Sequence, residues 1–477
     1  MSNERRIYTL EGLTPEVRAV CFAKCSRSPE PFDEIAKELT EEKSKEFHEK
    51  WVVGYGHSSV AEHAVLSLAI ENVSILATKV IEDNRLASYT EKSTRYQVFD
   101  KNRYLKPARL MSSPLGALYE QTGDFLFETY QKLSTPLRSW ITKSSAVQAP
   151  SSAKISDKMY ESVIKAKVCD NIRYLLPTST LTNLGMTINA RNLDWAITKL
   201  LSHPLEEMQA IGAGLKSEAA KITPTLEKFA APNPYLMETT KELSALSNWL
   251  FTIGSETPYS NDVAVKVVDF DRDAENKLVA ALLYKGSNLP YSQVKAKVDK
   301  MPLSIKELLV NEAMKRRSPY DRPIRELEHI YYTFDILMDY GAFRDVQRHR
   351  MCTQTNQAVT VAHGYSTPQD IVDAGCEVDY KTAMERAAET YEKIAAQFPD
   401  EAQYIVPLAF RKRTLFTWNL RELHHFIPLR SGKKGHISYR RIAQQCFKEV
   451  EKIHPLLAKY IRVDMSDETV STAGVKI

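Results

Sequence analysis

At 477 residues the chain is too long for one ordinary core, so two domains of roughly 200 residues each are expected. Hydrophobic residues make up 43% and charged residues 26%, as in soluble globular proteins. The 64 basic and 60 acidic side chains leave a net charge of +4; this gives no electrostatic footprint for nucleic acid but leaves small anionic substrates open.

No run nears the roughly 18 apolar residues of a spanning helix, and Met1–Gly12 has no apolar stretch behind its charges. A cytoplasmic protein without a membrane segment is therefore expected. The six cysteines (Cys21, Cys25, Cys169, Cys352, Cys376, Cys446) show no paired ligand spacing. Reduced thiols packed in cores, with no metal site, are the expectation.

Taken in order, residues 14–27 read as a helix entered at Thr14-Pro15, with Val17, Val20 and Cys21 on one stripe. Ser26 just beyond is either a cap or a ligand contact. Glu34–Val53 reads as one polar helix ending at Gly54-Tyr55-Gly56. His57 and Glu62 then stand at the entrance of a strand, where Leu66, Leu68 and Ile70 alternate with polar or small residues. The two side chains make either a satisfied hydrogen bond at that entrance or part of a site. Asn72 or Ser74 can cap the short helix that follows.

Residues 107–152 look loose, with Ser, Thr and Pro scattered through helical patches. Strand and turn are expected over 178–188, a helix from Asn189 through Leu201, and another over about 205–229. Ala231-Pro232-Asn233-Pro234 marks a boundary. Beyond it, 263–268 reads as a strand, 274–285 as a helix, and Ile330, Tyr332, Phe334 and Ile336 as a second alternating strand.

Two short stretches carry chemistry. Glu91-Lys92-Ser93-Thr94-Arg95 offers an acceptor, two hydroxyls and a guanidinium able to grip a phosphate with two parallel hydrogen bonds. Arg348-His349-Arg350 is a basic cluster following an apolar segment of similar design. The two belong to a repeat. Glu62-His63 recurs as Glu328-His329 at an offset of 266, Arg85 as Arg350 at 265, and Asn189 as Asn419 at 230. Ordered, near-constant offsets identify a tandem duplication whose middle segment is 35 residues shorter in the second copy.

Each half resembles a flavin-dependent thymidylate synthase, the family that methylates dUMP with FAD. That family's signature is an RHR, then a serine, then ES-any-R with a tyrosine. Arg348-His349-Arg350 matches its head in the second half, while Arg85, Ser88, Glu91, Ser93, Arg95 and Tyr96 match the rest in the first. Gly56-His57, Glu62-His63, Asn189-Ala190-Arg191 and Asn419-Leu420-Arg421 are similar to further family motifs. The departures are complementary. Asp83 and Asn84 replace the Arg and His of the head in the first half, and Asn356, Ala358 and Thr360 replace Glu, Ser and Arg in the second. The arginine that ionises the pyrimidine ring is matched by Arg430 but by Leu200 in the first half; the one before the LP turn is Arg173, against Gln403 in the second.

The resemblance implies an α/β (α+β) chain of two similar domains, 1–232 and 255–477, each a central sheet flanked by helices. It implies reductive methylation of dUMP to dTMP with FAD as cofactor and methylenetetrahydrofolate and NADPH as co-substrates. Arg430 would be catalytic, and Glu91, Ser93, Thr94, Arg95 and Arg348 would bind dUMP. Ser59, Glu62, Asn189, Arg191, His349, Arg350, Asn419, Arg421 and His425 would bind FAD. The family's sites lie between subunits of a homotetramer, so a pseudo-tetrameric homodimer is expected, with Arg95 meeting Arg348 across chains favoured over a meeting within one. A non-catalytic flavin or nucleotide binder, and a flavin enzyme acting on another pyrimidine, are the alternatives.

Overall fold

Period-two alternation builds both sheets. In the computed structural model, which describes residues 5–50, 58–144, 156–226, 228, 230–252 and 264–467, the first repeat forms strands β1 (Val65–Ser74), β2 (Ala87–Glu91) and β3 (Leu181–Asn189). They pair antiparallel in the order β1-β3-β2. The second repeat forms β4 (Val265–Phe270), β5 (Tyr331–Asp339), β6 (Thr353–Asn356) and β7 (Arg411–Asn419), in the order β4-β5-β7-β6. Leu66, Ile70, Leu184, Met186 and Ile188 are buried in the first sheet, and Tyr332, Phe334, Ile336, Phe416 and Trp418 in the second.

The duplication is written into the register. Val65 faces Asn189 on β1 and β3, as Tyr331 faces Asn419 on β5 and β7. The hydroxyls of Ser67 and Thr187 lie 3.1 Å apart, and those of their counterparts Thr333 and Thr417 lie 2.9 Å apart. The offset drops from 266 to 265 because β1 carries a bulge between Ile70 and Val73, where Asn72 takes a φ of 56° and adds one residue. Ser74, not Asn72, caps helix Ile75–Ile81 by accepting from the Ala77 N–H at 3.0 Å; Asp339 caps Tyr340–Val346 from Ala342 at 2.7 Å. Asn189 and Asn419 cap helices Ala190–Leu201 and Leu420–Ser431 in the same way.

Three helical expectations are corrected. Residues 107–144 are not loose, because helix Gly116–Ser144 runs 29 residues with Tyr119, Leu126, Tyr130, Leu133, Leu137 and Ile141 buried at helical spacing; 145–152 lie outside the described residues. The long helix over 34–53 is two, Phe32–Lys37 and Glu41–Phe47; Thr40 interrupts it and caps the second from Lys43 at 3.3 Å. Residues 51–57, including Gly54, Gly56 and His57, lie outside the described residues. The helix expected to reach 229 ends at Ala219. Ser26 is a cap, donating to the Ala23 carbonyl at 3.0 Å.

By contacts the chain forms two compact units. One holds 1–92, 105–109 and 180–257; the other holds 93–104, 110–179 and 258–477. Within the latter, the two copies of the turn segment pair antiparallel. Ala409 N–H donates to the Tyr174 carbonyl at 3.1 Å and Ser179 N–H to that of Tyr404 at 3.0 Å; Leu408 to Leu176 and Thr178 to Val406 are both 2.9 Å. Contacts that come in such matched pairs are those of a local two-fold axis. The Thr122 and Thr390 hydroxyls, 2.9 Å apart, come from corresponding helices of the two copies.

The length difference between copies has a place in the fold. Helices Gly116–Ser144 and Asp157–Ile172 in the first copy correspond to Glu377–Ala395 and the 4-residue Pro399–Ala402 in the second. Among the described residues no helix is long and apolar enough to cross a membrane.

Candidate functional site

Beyond β2 the chain turns into the second unit with Ser93-Thr94-Arg95. Thr94 is buried and accepts from Arg344 Nη1 at 3.0 Å, while the Ser93 hydroxyl accepts from the Arg95 backbone N–H at 3.2 Å. Fixed by these bonds, Arg95 donates to Asp170 twice, Nε to Oδ1 at 2.6 Å and Nη2 to Oδ2 at 2.8 Å, and through Nη1 to the Tyr439 hydroxyl at 3.3 Å. Burial alone would lower the Arg95 pKa, but the Asp170 carboxylate outweighs it, so the guanidinium is held above its ordinary value. Burial would raise Asp170, and Arg95 brings it below the usual carboxylate range.

The guanidinium of Arg430 sits over the other side of this link, 5.5 Å from the Tyr439 ring centre. Its Nη1 is 3.5 Å from Asp345, and Arg348 Nη1 reaches the same carboxylate at 4.0 Å. Burial works to raise Asp345, yet Arg348, Arg430, Arg173 and Arg95 together pull it below its ordinary value. Arg173 is buried, with Nε and Nη2 lacking a hydrogen-bond partner among the described residues. Four guanidinium groups thus surround two carboxylates. The excess of two positive charges suits a phosphate monoester, which carries about −1.5 to −2 at neutral pH.

A relay orients Arg430. Its Nε donates to His349 Nε2 at 2.9 Å, so the ring proton is on Nδ1, which faces Glu422 Oε1 at 3.4 Å. Burial first, then the Arg430 charge, depresses the His349 pKa well below its ordinary value and keeps the ring neutral. His349 was expected at the flavin; its side chain is only 3% exposed and both nitrogens face protein groups. His425, exposed, lies with its ring 5.4 Å from that of His349.

The remaining expected residues fall into two groups. Arg350, Asn419, Arg421 and His425 share the unit of Arg95, Arg348 and Arg430; Ser59, Glu62, Glu91, Asn189 and Arg191 belong to the other. Glu91 ends β2 and Ser59 is exposed on the short helix Ser58–His63. Glu62 is ion-paired with Arg191, and the second copy repeats the pair as Glu328 with Arg421 at 3.0 Å. Arg421 also donates to the Pro323 carbonyl at 2.8 Å. Asp170, Asp345, Glu422 and Tyr439 were not foreseen. The sequence marks Arg173 only by its place before the LP turn. Arg95 and the Arg348–Arg430 cluster meet inside a single chain, not across two as favoured from the sequence.

The first copy has lost this arrangement as a whole. By the repeat offsets Asp83 stands for Arg348, Asn84 for His349, Val80 for Asp345, Asn192 for Glu422 and Leu200 for Arg430. Asp83 pairs with Lys79 at 2.5 Å and Lys199 at 3.8 Å, while the Asn84 amide donates to the Ile81 carbonyl at 3.0 Å. An aspartate held between two lysines and a leucine stand where the second copy has Arg348 and Arg430.

Comparison with known proteins gives a consistent result. The family described as thymidylate synthase complementing protein matches residues 10–225 and again 266–456. A UPF0159 protein of Chlamydia pneumoniae is 34% identical over 97% of this chain and 92% of its own. The flavin-dependent thymidylate synthase of Clostridium tetani is 27% identical over 46% of this chain and 83% of its own. Among solved structures, the flavin dependent thymidylate synthase from Helicobacter pylori, complexed with FAD and dUMP, is 17% identical with a TM-score of 0.32. It covers 42% of this chain and 100% of its own.

Proposed function

The chain belongs to the thymidylate synthase complementing protein family, as a tandem duplication, and from that premise we propose that it methylates dUMP to dTMP reductively. In this reading FAD is the resident cofactor, methylenetetrahydrofolate the one-carbon donor and NADPH the reductant. The observation that carries it is the convergence of Arg95, Arg173, Arg348 and Arg430 on two carboxylates within one chain. Ser93, Arg95, Arg173 and Arg348 hold the nucleotide phosphate, with Thr94 and Glu91 shaping the loop that presents them. Arg430, braced by His349 and Asp345, stabilises the deprotonated pyrimidine, since a nearby cation favours the anionic form by about 1–3 pKa units. No protein nucleophile is then required to make the ring carbon reactive.

The surface beside this site fits a flavin. His425, Met351 and Leu429 are exposed next to the His349–Arg430 pair, joining polar and apolar contacts, with Arg350, Arg421 and Asn419 on the same unit. When bound, FAD supplies the electron and one-carbon transfer chemistry. The copies, taken as domains 1–232 and 255–477, then contribute one complete site per chain, and a homodimer would hold two. Anaerobic incubation with dUMP, methylenetetrahydrofolate and NADPH should yield dTMP in a yellow protein. A colourless preparation forming no dTMP after FAD is added would reject the proposal.

A further inference from the structure

A cavity of about 1100 Å³ opens in the same unit, adjoining the site just described and sharing Arg95 and Asp170 with it. Its walls are helix Asp157–Ile172, the end of β5, residues 366–370 and the start of helix Ile437–Ile453. Arg95 and Asp170 line it, whereas Arg348, His349, Asp345, Arg430 and Tyr439 do not. Arg95 is therefore the partition: Nη1 faces Tyr439, and Nε and Nη2 bind Asp170 in the cavity wall.

The wall carries unusual charge. Lys158, Lys167, Arg411, Lys434 and Arg441 all line the cavity, and none has a side-chain hydrogen bond or ion pair among the described residues. Lys167 and Arg411 are half-buried, where an uncompensated cation is costly. Three carboxylates share the wall, one taken up by a cation and two held by neutral donors, so the five cations still exceed the available negative charge by three. Asp170 binds Arg95, Asp339 accepts from Ser438 and from the Ala342 N–H, and Asp370 accepts from Asn171 at 3.0 Å.

The duplicated framework does not account for this feature. Arg411 pairs with Asp339 in the sheet where the first copy pairs Leu181 with Ser74. Ser438 on Asp339 corresponds to Glu207 on Ser74, which places Ala210 at the position of Arg441. Helix Asp157–Ile172 is reduced to 4 residues in the second copy. The cavity is thus built from what each copy has and the other lacks.

We propose that this cavity is a second binding site, for a small polyanion of nucleotide to dinucleotide size bearing several phosphate or carboxylate groups. Its volume is at the upper end of ligand pockets, roughly 300–1,000 Å³. Isothermal titration of the intact protein with inorganic triphosphate, and separately with citrate, tests the site and tells a phosphorylated from a carboxylate ligand. At least one should bind saturably at one per chain, and Arg411→Ala/Arg441→Ala should weaken it at least about tenfold. Affinity for dUMP should stay within about twofold, which keeps this test apart from that of the proposed function. Arg441→Glu, a reversal at an exposed position, gives the same reading if the double variant unfolds. Equal binding by wild type and variants, displacement by dUMP, or no saturable binding of either probe would each overturn the site.

Discussion

Replacing His349 separates two accounts of the residue. In the sequence it belongs to a flavin motif; in the structure it is the acceptor for Arg430 Nε at 2.9 Å and is tethered through Nδ1 towards Glu422. His349→Ala leaves that donor without its partner on a guanidinium whose side chain is only 14% exposed. An unsatisfied buried donor costs about 1–3 kcal/mol, so Arg430 should swing towards Asp345, the carboxylate 3.5 Å from its Nη1. If the lost alignment is felt in the transition state, kcat falls by roughly five- to 150-fold. His349→Gln keeps an acceptor within reach and should recover part of the loss. The assay is dTMP formation per bound flavin, with flavin content read by absorbance. An unchanged rate per flavin together with loss of flavin would refute the positioning role and return His349 to the cofactor.

Arg430→Ala should abolish dTMP formation while leaving flavin bound; an undiminished rate removes this arginine from the mechanism. Asp170→Ala removes two charge-assisted bonds to Arg95, at about 1.5–3 kcal/mol each, and should lower the melting temperature by roughly 5–10 °C. An unshifted melting temperature would show the pair to be dispensable. His424 and His436 are both held by burial to a pKa of about 3, and His349 is likewise depressed. Because the unfolded chain takes up these protons below about pH 6.5 and the native state does not, stability should fall as pH drops from 6.5 towards 3, each buried ring adding about 1.4 kcal/mol per unit. His424→Gln should make the decline in melting temperature shallower, and an identical slope would exclude this residue as a source.

Four of the seven strands described, and the duplication, were legible because both rest on short-range pattern, whereas β2, β6 and β7 were not read as strands. Alternating Tyr332, Phe334 and Ile336 report one buried face, and capping by Asn189 and Asn419 follows from residue type. Helix Gly116–Ser144 was missed because its buried stripe is interrupted on the other faces by Ser134, Thr135 and Pro136. At the site, the motif residues Arg95, Arg348 and Arg430 could be named from resemblance. Their partners could not, since Asp170 and Tyr439 lie 75 and 344 positions from Arg95 and meet it only through tertiary packing. The sequence could not decide between a site within one chain and one across two, because the same residues serve both. The bond from Arg95 to Tyr439 favours the first.

The central claim, a single site assembled within each chain from both repeats, is tested most directly by mixing two inactive variants. Arg95→Ala and Arg348→Ala should each be inactive alone. After subunit exchange every site built within one chain still carries one lesion, so the mixture should remain as inactive as its parents. Recovery of up to about half the wild-type activity per mixed dimer would mean that one site escapes both lesions. That result would place Arg95 and Arg348 of a working site on different chains and contradict the account.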